Sequence, residues 1–160
     1  MKKPITFIAA AALIIIVALV IYFAVGISSV YPPLKKYEYY GSIKQLTRIM
    51  DTYISNNHEV SIKPGDMVGN DINGYAYYFT IQMNVDKNNI EFDVRLENKT
   101  SSDLNNTQIL LIGAHDYGNK IGGYRINDNG VKNLVYLFDN NFISHLNEKQ
   151  NAGIKVTFSQ

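Results

Sequence analysis

Residues 5–27 (ITFIAAAALIIIVALVIYFAVGI) carry no charged side chain, and a run of about 23 apolar positions limits what the chain can be more than any other feature. As a helix rising about 1.5 Å per residue it measures roughly 35 Å, against a hydrocarbon core of about 30 Å. The expectation is one membrane span holding one small domain. A secretory signal also opens with a short basic stretch such as Met1-Lys2-Lys3, and Ala24 and Gly26 offer small residues ahead of a cleavage site. A signal core is only about 7–15 residues long, however, so the length favours an uncleaved signal anchor.

Lysines at the flanks set the orientation. Lys2 and Lys3 sit against the N-terminal end of the run, and Lys35 and Lys36 lie several residues beyond the other end. The positive-inside bias is shallow but places the N-terminus in the cytoplasm. The predicted organisation is a cytoplasmic tail at 1–4, a transmembrane helix at 5–27, a juxtamembrane linker at 28–36 and an extracytoplasmic α+β domain at 37–160. A bacterial inner membrane, with the domain on its periplasmic side, is the favoured setting. Sequons at Asn98 and Asn105 arise readily by chance in a chain this rich in asparagine, so their use depends on a setting that glycosylates.

Two of the 15 basic residues are Lys2 and Lys3, which leaves the domain beyond the run almost neutral against its 14 acidic side chains. A domain without a basic field lacks the usual means of holding nucleic acid. Cysteine is absent, which excludes disulfides, thiolate metal sites and cysteine nucleophiles together.

The apolar pattern then sorts the rest. Pro32-Pro33 cannot continue a helix, and Tyr22, Tyr31, Tyr37, Tyr39 and Tyr40 around it suit a water–lipid interface. After Ser42, a capping residue, Ile43, Leu46, Met50, Tyr53 and Ile54 share one side of a helix, with Asn56-Asn57 as a left-handed stop. Pro64-Gly65, Gly69 and the polar residues to Gly74 mark a loop after a short strand near 60–63. From Tyr75 the period becomes two: Tyr77, Phe79, Ile81 and Met83 alternate with Tyr78, Thr80, Gln82 and Asn84, and Ile90, Phe92, Val94 and Leu96 with Glu91, Asp93, Arg95 and Glu97. That is an antiparallel hairpin with one wet face. Residues 98–106 read as a polar loop, 108–115 as a central strand and 121–126 as its return. A second helix, capped by Asp128 or Asn129, buries Val131, Leu134, Val135, Phe138, Phe142 and Leu146, and Ile154, Val156 and Phe158 alternate in a last strand. The fold class is α+β: two helices packed on one face of a mainly antiparallel sheet of four to six strands.

Chemistry is sparse. His58, His115 and His145 stand without the HxxxH, HxH or HExxH spacing of a zinc site, and His145 near a helix C-terminus serves the dipole. No GxSxG or SxxK nucleophile is present. Gly122-Gly123 sit in a returning strand rather than a phosphate loop, and Asn127-Asp128-Asn129-Gly130 lacks the closing glutamate of a calcium loop. No catalytic residue, cofactor or metal is therefore expected.

The reading is a binding domain: an accessory or assembly subunit of an envelope complex, or a small inhibitor or immunity-type protein, with a protein partner and with oligomerisation left open. Exposed aromatics and arginine are the usual anchors of interfaces. The candidate contact surface is thus Tyr78, Gln82, Arg95 and Glu97 on the wet sheet face with His115, Tyr117 and Tyr124 beside it. The competing reading is an anchored hydrolase or small-ligand carrier, which requires a helix–sheet cavity converging on His115 with Asp116 or Tyr124.

Overall fold

Strands of alternating pattern pair into one antiparallel sheet whose apolar face is covered by helices. The computed structural model describes residues 32–63, 76–85, 87–100 and 103–159. The apolar run at 5–27, Tyr22, Tyr31, Tyr75, the side chain of Phe158 and the turn-rich segment 64–75 lie outside the described residues. Among those described, no helix is long and apolar enough to cross a membrane. In chain order the elements are β1 (Lys35–Tyr39), α1 (Ile43–Ser55), β2 (Val60–Ile62), β3 (Ala76–Val85), β4 (Asn88–Thr100), β5 (Asp103–Asp116), β6 (Ile121–Gly123), α2 (Val131–Phe138), a π-helical turn (Asp139–Ile143), α3 (Ser144–Gln150) and β7 (Lys155–Ser159).

Among the described residues the sheet has seven strands, in the order β2-β3-β4-β5-β1-β7 with β6 beside β5, one more than the upper end of the expected range. The addition is β1, which begins inside the segment read as linker. Tyr37 and Tyr39 are accordingly core residues, at 0% and 8% exposure, and not interfacial ones; Tyr40 alone of these three is out in solvent. The expected loop at 98–106 is also mostly strand, since β4 runs to Thr100 and β5 starts at Asp103. Main-chain pairing such as Asn98 with Thr107 extends this hairpin through a stretch whose one apolar residue is Leu104, which is why the hydrophobic pattern does not display it.

β5 organises the sheet. One edge pairs with β4 from Thr100↔Asp103 to Ile90↔Asp116. Its other edge is shared by β1, through Tyr39↔Thr107 to Lys35↔Leu111, and by β6, through Ala114↔Gly123 to Asp116↔Ile121. Between those partners lies a bulge: Val94 faces Leu111 and Asp93 faces Gly113, so Ile112 is extra. An inserted residue bends a strand and sharpens its twist.

α1 starts with a capping box, in which Gln45 N–H reaches Ser42 Oγ at 3.3 Å and Ser42 N–H reaches Gln45 Oε1 at 2.9 Å. Its stripe Ile43, Leu46, Met50 and Tyr53 is buried as expected. The helix ends at Asn56 with φ −100°, not in the left-handed region. The second helix is one continuous rod from α2 through the π-helical turn to α3. It begins at Gly130, φ +76°, without a side-chain cap, because Asp128 is bonded elsewhere. Val156 is 53% exposed on the edge strand β7 and is not part of the core.

Phe138 is the centre of the packing. It is fully buried, with ring centroids 5.0 Å from Phe92, 5.2 Å from Phe142 and 6.0 Å from Tyr37. One residue on, Asp139 receives Lys35 Nζ at 2.5 Å and the Tyr37 hydroxyl at 2.6 Å, tying the helix to β1. Truncating Phe138 leaves a cavity that the surrounding rings cannot close, so Phe138→Ala is expected to cost about 3–5 kcal/mol in urea unfolding. Val156→Thr, by contrast, should stay within about 0.5 kcal/mol.

Burial, reinforced by the bond to Asp139, raises the Tyr37 phenol far above its ordinary value of 10.0. The unfolded chain then releases this proton while the fold retains it. The contribution is fully present below the unfolded value and is lost as pH climbs above it. Urea midpoints should fall along this alkaline limb, and Tyr37→Phe should flatten the fall.

Candidate functional site

With the helices on one side, no helix among the described residues covers the other side of the sheet, and the pairing register sets its polar side chains in rows. Tyr78 stands beside Arg95, Thr80 beside Asp93 and Gln82 beside Glu91. Across the next ladder, Arg95 faces Leu110, Asp93 faces Gly113 and Glu91 faces His115. All seven residues expected at a contact surface lie on this face or on the turn and loop bordering it.

Within the rows the groups pair locally. Gln82 Nε2 donates to Glu91 Oε1 at 2.9 Å, and Lys63 Nζ is 3.5 Å from the same carboxylate. Arg95 reaches Glu97 at 2.7 Å while its guanidinium lies 5.1 Å from the centre of the Tyr78 ring, a cation–π placement.

The densest cluster surrounds Asp93. Thr80 Oγ1 donates to it at 3.0 Å, the Tyr124 hydroxyl bonds to it, and His115 Nε2 stands 3.6 Å away. The last distance is beyond hydrogen-bond range, so His115 and Asp93 do not form a catalytic dyad here. The His115 ring is stacked on Tyr117, centroids 5.6 Å apart at 6°, and meets Tyr124 edge-on at 5.0 Å. Burial, and secondly the Asp93 charge, raises the Tyr124 phenol above its usual range.

Backbone geometry makes this cluster possible. A Cβ at Gly113 would sit 2.7 Å from the Tyr124 ring and 2.9 Å from the Asp93 carboxylate, so only glycine lets the ring lie flat on the bulge. The loop that delivers Tyr124 is held by Asp128, whose Oδ2 accepts the N–H groups of Tyr124 at 3.1 Å and Arg125 at 3.0 Å. That is the work Asp128 does in place of capping the helix. Asp116, the expected neighbour of His115, points to the opposite side: it is 3% exposed and closes its own turn through Asn119 N–H at 3.0 Å. Strand alternation requires this separation.

Two polar atoms of the face, Arg95 Nε and His115 Nε2, are shut off from solvent without a hydrogen-bond partner. Such groups cost free energy until something pairs with them. Around them Tyr78, Tyr117 and Tyr124 remain 39%, 65% and 42% exposed. The arrangement offers three part-exposed rings with a guanidinium stacked against one of them. No group of three or more metal-ligating side chains occurs among the described residues.

A second feature lies on the helix side, where a cavity of about 220 Å³ is lined by Tyr53, Asn57, Glu59, Val60, Met83, Asn84, Val85, Asn141 and His145. The Tyr53 hydroxyl accepts from Asn57 Nδ2 at 2.8 Å and donates to the Asn141 carbonyl at 3.1 Å. His145 Nδ1 is 3.0 Å from that same carbonyl and 3.2 Å from the Tyr53 oxygen. His145 is thus held by a neighbouring chain segment, which the helix-dipole reading did not foresee. The available signal was Asp139-Asn140-Asn141, three weak helix formers in mid-helix, where the π-helical turn falls.

No protein-family model matches the chain, and comparisons with curated proteins and with solved structures find no similar protein.

Gly113→Val drives the Tyr124 ring off the bulge. The expected outcome is a loss of about 1–3 kcal/mol from overpacking. In an absorbance pH titration, differenced against Tyr124→Phe, the Tyr124 phenol should move down toward the ordinary tyrosine range.

Proposed function

We propose that this chain is a single-pass, membrane-anchored domain, held outside the cytoplasm, that acts by binding a protein of the cell envelope. It would serve as an accessory or assembly subunit, or as an inhibitor or immunity-type protein. The open sheet face carries this reading, because exposed tyrosines there adjoin an arginine stacked on Tyr78. Aromatic and arginine side chains are the residues that most often dominate binding energy. The length of the uncharged run at 5–27 supports the anchor, and the lysines flanking it support its direction.

Docking on this face exchanges water over Tyr78, Tyr117 and Tyr124 for partner surface. A photo-crosslinking residue placed at position 117 should give one discrete adduct in membranes, and one at Tyr136, 69% exposed on α2, should not. Arg95→Ala and Tyr117→Ala should each weaken partner recovery about tenfold. Adducts at 136 with none at 117 would overturn the choice of face. Digestion of the domain by protease added from the cytoplasmic side would overturn the orientation.

A further inference from the structure

The geometry points to a second binding site, the cavity between Tyr53 and His145, and assigns it a primary ammonium group carried on a short apolar stem. The site lies on the helix-covered side of the sheet, so docking at Asp93 and His115 stands or falls independently of it.

Groups already committed to one another narrow what the cavity can hold. The Asn141 carbonyl can only accept, so its contact with His145 Nδ1 at 3.0 Å places the proton of the neutral ring on Nδ1. His145 Nε2 is then an acceptor. Asn57 is used at both ends of its amide, by the Tyr53 hydroxyl and by Glu59 N–H at 3.0 Å. Three acceptors remain among the lining residues: the Glu59 carboxylate, whose charge acts on the Tyr53 hydroxyl, His145 Nε2 and the side-chain amide oxygen of Asn141.

An ammonium has three donors and no acceptor. A carboxylate, an imidazole nitrogen and an amide oxygen match it in number and sign. Among the described residues of the lining, Glu59 supplies the formal charge, so an anion meets repulsion without compensation. Val60, Met83 and Val85 supply an apolar wall for a stem of a few carbons. The π-helical turn adds a structural mark: Ser144 N–H bonds the Asp139 carbonyl five residues back, and the widened turn presents Asn141 to the cavity. Such turns recur at functional sites.

The test titrates the full-length chain in detergent micelles with n-butylamine, n-butanol and butyrate, followed by NMR shifts. Butylammonium should saturate in the millimolar range, butanol should bind several-fold more weakly, and butyrate should not saturate. Glu59→Gln alters an exposed side chain outside the core and should weaken butylammonium about fivefold, the size of one partly exposed charge contact. A free amine and a lysine side chain share this chemistry, and Nα-acetyl-lysine amide separates them: binding as tight as butylamine identifies a protein lysine, and much weaker binding a free amine. The proposal is overturned if butylammonium does not saturate, if butyrate binds equally, or if Glu59→Gln leaves the affinity unchanged.

Discussion

The structure depends on β5 being able to pair with three strands, and on the bulge that lets it do so. Its long edge against β4 carries the apolar alternation, with Ile109, Leu111 and Ala114 turned to the helices. A regular β5 would have turned Gly113 and His115 to the helix side with Leu111. The extra residue, Ile112, resets that phase where β1 leaves and β6 arrives. The open face gains a glycine floor there, and Tyr124 from the loop after β6 lies on it. Core and surface cluster are thus two results of one irregularity.

Much of the fold was legible because the buried residues obey simple periods. Ile43, Leu46, Met50 and Tyr53 at helical spacing, and Ile90 to Leu96 at strand spacing, face the core as those spacings demand. β1 was hidden because KKYEY mixes charges with tyrosines beside a proline pair, and because its inward lysine is neutralised by a partner 104 positions away, Asp139. The polar segment after Asn98 was hidden for a related reason. Its residues pair through the main chain, while Lys99 Nζ reaches the buried carboxylate of Glu38 at 2.5 Å. Long-range ion pairs leave no local trace in a sequence.

The face at Tyr78, Arg95 and Glu97 was legible in outline, since alternation alone assigns its side. The juxtaposition of His115, Tyr124 and Asp93 was not, because it depends on a bulge and on a loop tied down by Asp128. His145 shows the opposite difficulty. Its position near a helix end has a sufficient local explanation, yet its partner Tyr53, itself bonded by Asn57, comes from α1. Only tertiary structure supplies it.

β1 comes directly after Pro32-Pro33, and it lies between β5 and β7. Any tether acting on the chain ahead of Pro32 therefore pulls along a strand that is bonded on both edges, with Leu34 N–H adding a bond to the Leu111 carbonyl at 2.7 Å. Load applied in that direction shears two ladders together instead of peeling one pair at a time. The first strand of the domain is thus also its mechanical clamp, and it passes tension into β5, the strand that carries His115.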